Sequence, residues 1–156
     1  MSSRNYNQST IDVIRDIQLG IAVERAAAAT AGALTPMFTI VGGPVLLTAF
    51  FGKVTVEAVG ATTIVIQATP TTGAAVPISA SLDVDPAIVG SYLTITGLAS
   101  DAMKYNATAD GLGMMIYKGV ILPIGTLDYT GGAASGSIAW TMFYVPLSTG
   151  SYVTAT

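Results

Sequence analysis

The chain has 156 residues, which is enough for one domain with a substantial core. It contains no cysteine and no histidine, so disulfides, thiolate nucleophiles and imidazole bases are excluded. Only 10% of the residues are charged, against about 25% in an ordinary soluble domain. The six basic residues form no run that could neutralise a phosphate backbone, so we expect no nucleic-acid partner.

The first 33 residues are predicted to form an N-terminal arm. Ser9 followed by Asp12 fits a helix start, and isoleucines at helical spacing predict a helix over 9–19 that Gly20 ends. Residues 21–31 fit either a continuation of this helix, because alanine favours helices, or an extended strand. Six of the chain's fifteen charged residues lie within the first 25 positions.

From residue 34 the pattern changes to short strands separated by glycine and proline. Residues 37–41 and 45–51 flank Gly42-Gly43-Pro44, which predicts a hairpin. Gly52 is expected to separate this hairpin from another strand over 53–59. Further strands are predicted at 62–68, 77–84, 91–97, 114–125, 126–130, 137–145 and 151–155. Roughly nine or ten short strands predict an all-β domain over 34–156, an antiparallel β-sandwich or jelly roll.

Two uncharged stretches, 26–52 and 129–156, raise the question of membrane insertion. Glycine and proline interrupt both, and neither holds the roughly 18 consecutive apolar residues of a membrane-spanning helix. The polar N-terminus is also unlike a secretory signal. We therefore expect no membrane partner.

Acidic residues supply the candidates for metal binding and catalysis. Asp83 and Asp85 are two positions apart and could hold a hard cation, although the Asp85-Pro86 step is more typical of a turn. A carboxylate pair for glycoside hydrolysis would have to come from scattered residues, namely Glu57, Asp101, Asp110 and Asp128. We expect no catalytic residue, no metal site and no cofactor, and hence no enzyme.

Aromatic residues cluster near the C-terminus. Trp140, Phe143, Tyr144 and Tyr152 fit the sandwich core or an oligomer contact, and a carbohydrate-stacking platform is the alternative. Residues 26–156 hold nine charged residues in 131 positions. A surface so poor in charge favours association with other protein, so we expect a building block of a larger assembly.

Two blocks of the chain resemble small structural proteins of tailed-bacteriophage virions, the capsid decoration or cement proteins. The first is FTIVGGPVLLTAFFGKVTVEA (38–58), and the second is GSIAWTMFYVPLSTGSYVTA (136–155). The resemblance implies a non-enzymatic β-sandwich protein, commonly a homotrimer. It would sit on the outer capsid surface of the virion and bridge subunits of the major capsid protein. The resemblance supplies no catalytic residue.

This resemblance gives the arm a role. We expect the arm to contact the capsid or a neighbouring subunit through its charged residues, Arg4, Arg15, Asp16, Glu24 and Arg25. Binding only to the expanded lattice would stabilise the mature head, and trimerisation would supply multivalency. The alternatives are a tail, tail-tip or head-fibre subunit, and a carbohydrate-binding surface module.

Overall fold

The computed structural model of the protein describes residues 8–30, 32–60, 62–106, 111–113, 119–131 and 136–156. Within these ranges, one helix precedes twelve strands. The helix is α1 (Gln8–Leu19), as predicted, and the strands are β1 (Ile21–Ala29), β2 (Leu34–Val41), β3 (Val45–Val56), β4 (Thr63–Pro70), β5 (Val76–Pro77), β6 (Leu82–Asp83), β7 (Tyr92–Thr94), β8 (Lys104–Tyr105), β9 (Val120–Leu122), β10 (Gly125–Gly131), β11 (Ser137–Pro146) and β12 (Tyr152–Ala155).

The strands form two antiparallel sheets that pack against each other. Sheet A has the order β1-β11-β3-β7-β8, with β9 also paired to β3. Sheet B has the order β12-β2-β10-β4-β5, with β6 also paired to β4. Their inner faces supply one hydrophobic core. The prediction of an all-β sandwich with a short N-terminal helix is therefore confirmed. Twelve strands are described where nine or ten were expected, since β1 and β8 are additional. The segment 77–84 gives two short strands, β5 and β6, but the predicted strands 45–51 and 53–59 form the single strand β3.

Strand β4 shows how the sequence pattern produces this packing. Ile64 and Ile66 are fully buried, whereas Val65 and Gln67 between them are partly exposed. Successive side chains of a strand point to opposite faces, so one face of β4 enters the core and the other faces outward. Burying each such isoleucine stabilises the fold by about 1.5–3 kcal/mol.

The segment 21–31 fits either a helix or a strand in the sequence, and the structure forms strand β1 from its residues Ile21–Ala29, at the edge of sheet A. Its partner is β11, with Glu24 opposite Thr141 and Arg25 opposite Trp140. The sandwich thus includes residues from Ile21 onward, and within the described residues α1 is the part of the arm that lies outside the sheets.

The Gly42-Gly43-Pro44 segment does not close a hairpin, and that prediction was wrong. Strand β2 belongs to sheet B and β3 to sheet A, so the segment is a corner between the sheets. Gly42 has a φ of +79°, and a Cβ there would lie 2.0 Å from the carbonyl oxygen of Gly150. Glycine is required because the segment 147–151, which connects β11 to β12, packs against this corner.

Gly52 does not separate two strands either, since β3 runs through it from Val45 to Val56. Gly52 lies opposite Trp140 of β11, and a Cβ there would be 2.7 Å from the Cζ3 atom of Trp140. The Trp140 ring is 1% exposed and stacks on Phe50 with 5.0 Å between ring centroids. The glycine therefore makes room for the largest side chain of the core.

Polar side chains link the two sheets where β1 and β12 lie side by side. The links are hydrogen bonds from the Tyr129 hydroxyl to the Ala29 carbonyl oxygen (3.0 Å), from Arg25 Nε to the main-chain oxygen of Thr156 (3.0 Å), and from the Val153 amide to the Tyr144 hydroxyl (3.2 Å). Each bond joins a residue of sheet A to one in or next to a strand of sheet B, so this edge of the sandwich is closed.

Candidate interaction surfaces

Helix α1 exposes its apolar face. The exposed residues are Ile11, Val13, Ile14 and Ile17, with exposed fractions between 41% for Ile14 and 79% for Ile17. At 100° per residue these four side chains fall on one half of the helix. We call them the α1 apolar face. The sequence predicts such a stripe, but the usual expectation is that it packs onto the core, and here it faces solvent.

The charged side chains of α1 interact with one another. Arg15 lies 3.2 Å from a carboxylate oxygen of Asp12 and 2.9 Å from one of Asp16. The hydrogen bond to Asp16 raises the pKa of Arg15, and the charges of Asp16, Asp12 and Glu24 act in the same direction. Glu24 lies on β1, the strand that follows α1. Ion pairs this exposed contribute little to stability.

The junction between α1 and β1 is fixed to the sandwich. The Gly20 amide donates to the Asp16 carbonyl oxygen (3.0 Å) and closes the helix. The Thr48 hydroxyl of β3 donates to the Leu19 carbonyl oxygen. Gly20 has a φ of +89°, and a Cβ there would lie 2.3 Å from the Tyr144 carbonyl oxygen. Helix α1 therefore has a defined position next to β1 and β11.

The charged arm residues that we expected to contact the capsid or a neighbouring subunit do not share one environment in the structure. Arg4 lies outside the described residues. Arg15 and Asp16 are paired with each other, and Glu24 is exposed on β1. Arg25 points across to Thr156, and its Nη1 atom is buried without a hydrogen-bond partner among the described residues. A role of these charges in binding a capsid or a neighbour stays a prediction.

The C-terminal aromatic residues divide between core and surface. Trp140 and Tyr144 belong to the core, and Phe143 is buried on the opposite face of β11, where its ring centroid is 6.4 Å from that of Phe51. Tyr152 is 49% exposed. Because Trp140 is enclosed by the sandwich, a sugar ring could not stack on it in this fold.

An apolar groove lies on the outer face of sheet A. Its volume is about 300 Å³, and its described lining residues are Phe51, Tyr92, Leu93, Thr94, Gly111 and Leu112. The rings of Phe51 and Tyr92 are in contact, with 6.2 Å between centroids. We call this the sheet A groove. Alternation places Phe51 and Lys53 on one face of β3, and Tyr92 and Thr94 on one face of β7, but no local sequence signal marks the groove.

Two lysines border the sheet A groove. Lys53 is the register partner of Tyr92, and Lys104 is the register partner of Thr94. Register partners on neighbouring strands point to the same face, so both lysines lie beside the groove. Both are exposed, and the part of the chain that the structure describes gives neither an ion-pair partner.

Asp83 and Asp85 cap a turn, which agrees with the interpretation of the Asp85-Pro86 step as a turn. An Asp83 carboxylate oxygen accepts from the Asp85 amide, and one of Asp85 accepts from the Gly60 amide, each at 3.1 Å. The Asp85-Pro86 peptide bond is cis. Among the described residues, three or more acidic side chains nowhere gather into a group that could hold a metal ion.

The other acidic candidates lie in separate surroundings. Glu57 is exposed, and a carboxylate oxygen of Asp101 accepts from the Thr96 hydroxyl at 3.1 Å. Asp128 is buried, with one carboxylate oxygen accepting from the Thr69 hydroxyl. Asp110 lies outside the described residues.

No protein-family model, curated protein or solved structure gives a significant match to this chain. Within the described residues, no helix has the length and hydrophobicity that a membrane crossing requires.

Proposed function

We propose that this protein is a non-enzymatic structural subunit of a bacteriophage virion, of the capsid decoration or cement type. It binds the major capsid protein on the outer surface of the head, as a homo-oligomer, and stabilises the mature shell. The observation that carries the proposal is the exposed α1 apolar face on a chain in which only 10% of the residues are charged.

The α1 apolar face supports an assembly role because it is exposed to solvent in the single chain and contributes no burial there. An isolated helix of twelve residues is marginal in water, and most helical stability comes from burying an apolar face. Each isoleucine left in water forgoes about 1.5–3 kcal/mol of burial. A partner that covers this face would recover that free energy.

A sandwich with few charges also suits a subunit that binds many equivalent sites. Modest affinity at each contact is sufficient when several copies are joined, since the later contacts form at high effective concentration. Binding to the expanded lattice and not to its precursor would shift the equilibrium toward the mature shell. The resemblance of 38–58 and 136–155 to decoration proteins indicates the same role.

The proposal is tested by mixing the purified chain with empty expanded capsids and with unexpanded capsids built from the major capsid protein of the same phage. We expect saturable occupancy of the expanded shells, measured by co-sedimentation. Deletion of residues 1–19 is expected to lower that occupancy. This deletion leaves β1 intact, whereas removal of 1–25 would also damage sheet A.

Absence of binding to expanded capsids would overturn the decoration role. Binding to purified tails or head fibres instead would assign the chain to those structures. Unchanged occupancy after deletion of 1–19 would remove the arm from the interface.

A further inference from the structure

We infer that the α1 apolar face of one copy docks into the sheet A groove of a second copy, in a head-to-tail arrangement. This inference rests on the proposed role as an assembly subunit and names the partner of α1, which is another copy of the same chain.

The two surfaces match in shape and chemistry. One is a convex apolar helix face, and the other is an apolar concavity of about 300 Å³ with Phe51 and Tyr92 in its wall. An amphipathic helix in a hydrophobic groove is a recurrent mode of recognition, with anchor residues at positions i, i+3, i+4 and i+7. Ile11 and Ile14 are three positions apart, as are Ile14 and Ile17, and Val13 and Ile17 are four apart.

The charges around the two surfaces are complementary. Near α1, the three acidic residues Asp12, Asp16 and Glu24 outnumber Arg15 and Arg25 by one, which leaves this end of sheet A with a small negative excess. Beside the groove, Lys53 and Lys104 make the other end positive. A head-to-tail contact brings opposite charges together, and such complementarity fixes the register and speeds association.

A helix cannot fill the groove of its own chain in this fold. The junction at Leu19 and Gly20 holds α1 next to β1 and β11. The groove lies over β3 and β7, whereas α1 lies next to β1 and β11 and meets β3 at the hydrogen bond from Thr48 to Leu19. The α1 apolar face is also turned to solvent. Among the described residues, α1 of the same chain does not fill the groove, which leaves the groove open to a second copy.

Two other ways of joining copies fit the structure less well. Pairing of two β1 edges is opposed by Glu24 and Arg25 in the middle of the strand and by the register shift between Arg25 and Ala28. Packing of two α1 helices against each other would bring together two ends of the same negative sign. The head-to-tail contact avoids both problems.

A head-to-tail interface closes into a ring when the rotation between copies permits it, and otherwise forms a filament. The expected product is a closed ring of a few copies, such as the trimer that the decoration-protein resemblance implies. In such a ring every α1 is covered and every sheet A groove is filled.

The first experiment measures the molar mass of the full chain by light scattering over a range of concentrations. We expect a closed oligomer, and we expect Ile17→Glu to weaken self-association by about ten- to a hundredfold, since it replaces an isoleucine that the docking would bury. Val76→Glu changes an equally apolar exposed residue on β5 of sheet B and is expected to leave the mass unchanged. Lys53→Glu with Lys104→Glu should also weaken association, most strongly at low salt.

The second experiment uses the absence of cysteine from the chain. Two single-cysteine proteins, Ile17→Cys and Leu112→Cys, are mixed and oxidised with copper phenanthroline. We expect a disulfide between the two different chains, because docking brings position 17 of one copy to position 112 of the next. A Val76→Cys protein is the control and should not cross-link to either.

A monomeric mass at all concentrations would overturn the inference. Cross-links only between two Ile17→Cys chains would overturn it in favour of helix–helix pairing. These outcomes are independent of capsid binding. An oligomer with the 17–112 cross-link but no capsid occupancy would refute the decoration role alone, whereas a monomer that binds capsids through α1 would refute the head-to-tail contact alone.

Discussion

Gly52→Ala tests whether Trp140 is packed as tightly as the structure indicates. The new Cβ would lie 2.7 Å from Cζ3 and 2.8 Å from Cε3 of Trp140, and 2.8 Å from Cγ2 of Ile138. All three distances are shorter than van der Waals contact. The indole ring has little room to move, because it stacks on Phe50 and also contacts Tyr129.

The test depends on whether Gly52→Ala raises or lowers the free energy of unfolding. Without a clash, replacing a strand glycine by alanine stabilises a protein by about 0.4–1 kcal/mol, because the unfolded chain loses entropy. Adding a methyl group to a filled core costs about 1–3 kcal/mol. We therefore expect a net loss of about 1–2 kcal/mol in the free energy of unfolding. For a domain of this size that corresponds to a decrease in Tm of roughly 2–8 °C.

The assay is thermal unfolding followed by circular dichroism, at one protein concentration because association would shift the Tm. Gly111→Ala is the control, since a Cβ there has no atom of the described residues within 4 Å. Because Gly111 lines the sheet A groove, all three proteins are compared at a concentration at which they have the same molar mass. A Tm for Gly52→Ala equal to or above that of the unaltered protein would refute the packing described for β3 and β11.

Two further predictions concern the core and the α1 junction. Thr94→Val removes a buried hydrogen bond of 2.7 Å from the Thr94 hydroxyl to the Phe50 carbonyl oxygen, and we expect it to lower the free energy of unfolding in urea by about 1 kcal/mol. The control Thr55→Val removes an exposed hydroxyl and should lower the free energy of unfolding by less. Equal losses in the two variants would contradict the burial of Thr94. Gly20→Ala should displace α1 from β11 and therefore speed tryptic cleavage after Arg15. The control Gly60→Ala has a similar φ but open space around the new Cβ, and it should leave the cleavage rate unchanged. Equal cleavage rates in the two variants would show that the contact with Tyr144 does not hold α1.

The sequence predicted the strands better than their connections. Alternation in 62–68 identifies β4 because its inner positions are isoleucines and its outer positions include threonine and glutamine. The segment Gly42-Gly43-Pro44 was misread because the same residues allow a tight turn within one sheet and a corner between two. Which of these forms depends on the partners that β2 and β3 find far along the chain, namely β10 and β11.

The candidate surfaces were only partly predictable. The isoleucine spacing predicts α1, but the pattern is the same whether the apolar face packs onto its own core or onto another molecule. The sheet A groove is formed by β3, β7 and the segment 111–113, which are distant in the sequence. Gly52 was likewise predicted to end a strand. Its partner Trp140 is 88 positions away, so no local signal in the sequence shows that Gly52 lies within a continuous strand.

The contact between the corner 42–44 and the segment 147–151 has a mechanical consequence. One carries the chain from sheet B to sheet A and the other carries it back, and both lie at the same end of the sandwich. A pulling force that would shear one sheet past the other must therefore deform two interlocked crossings at once. The two sheets are therefore expected to resist sliding past each other under load, a property that the proposed role on a shell under internal pressure would require.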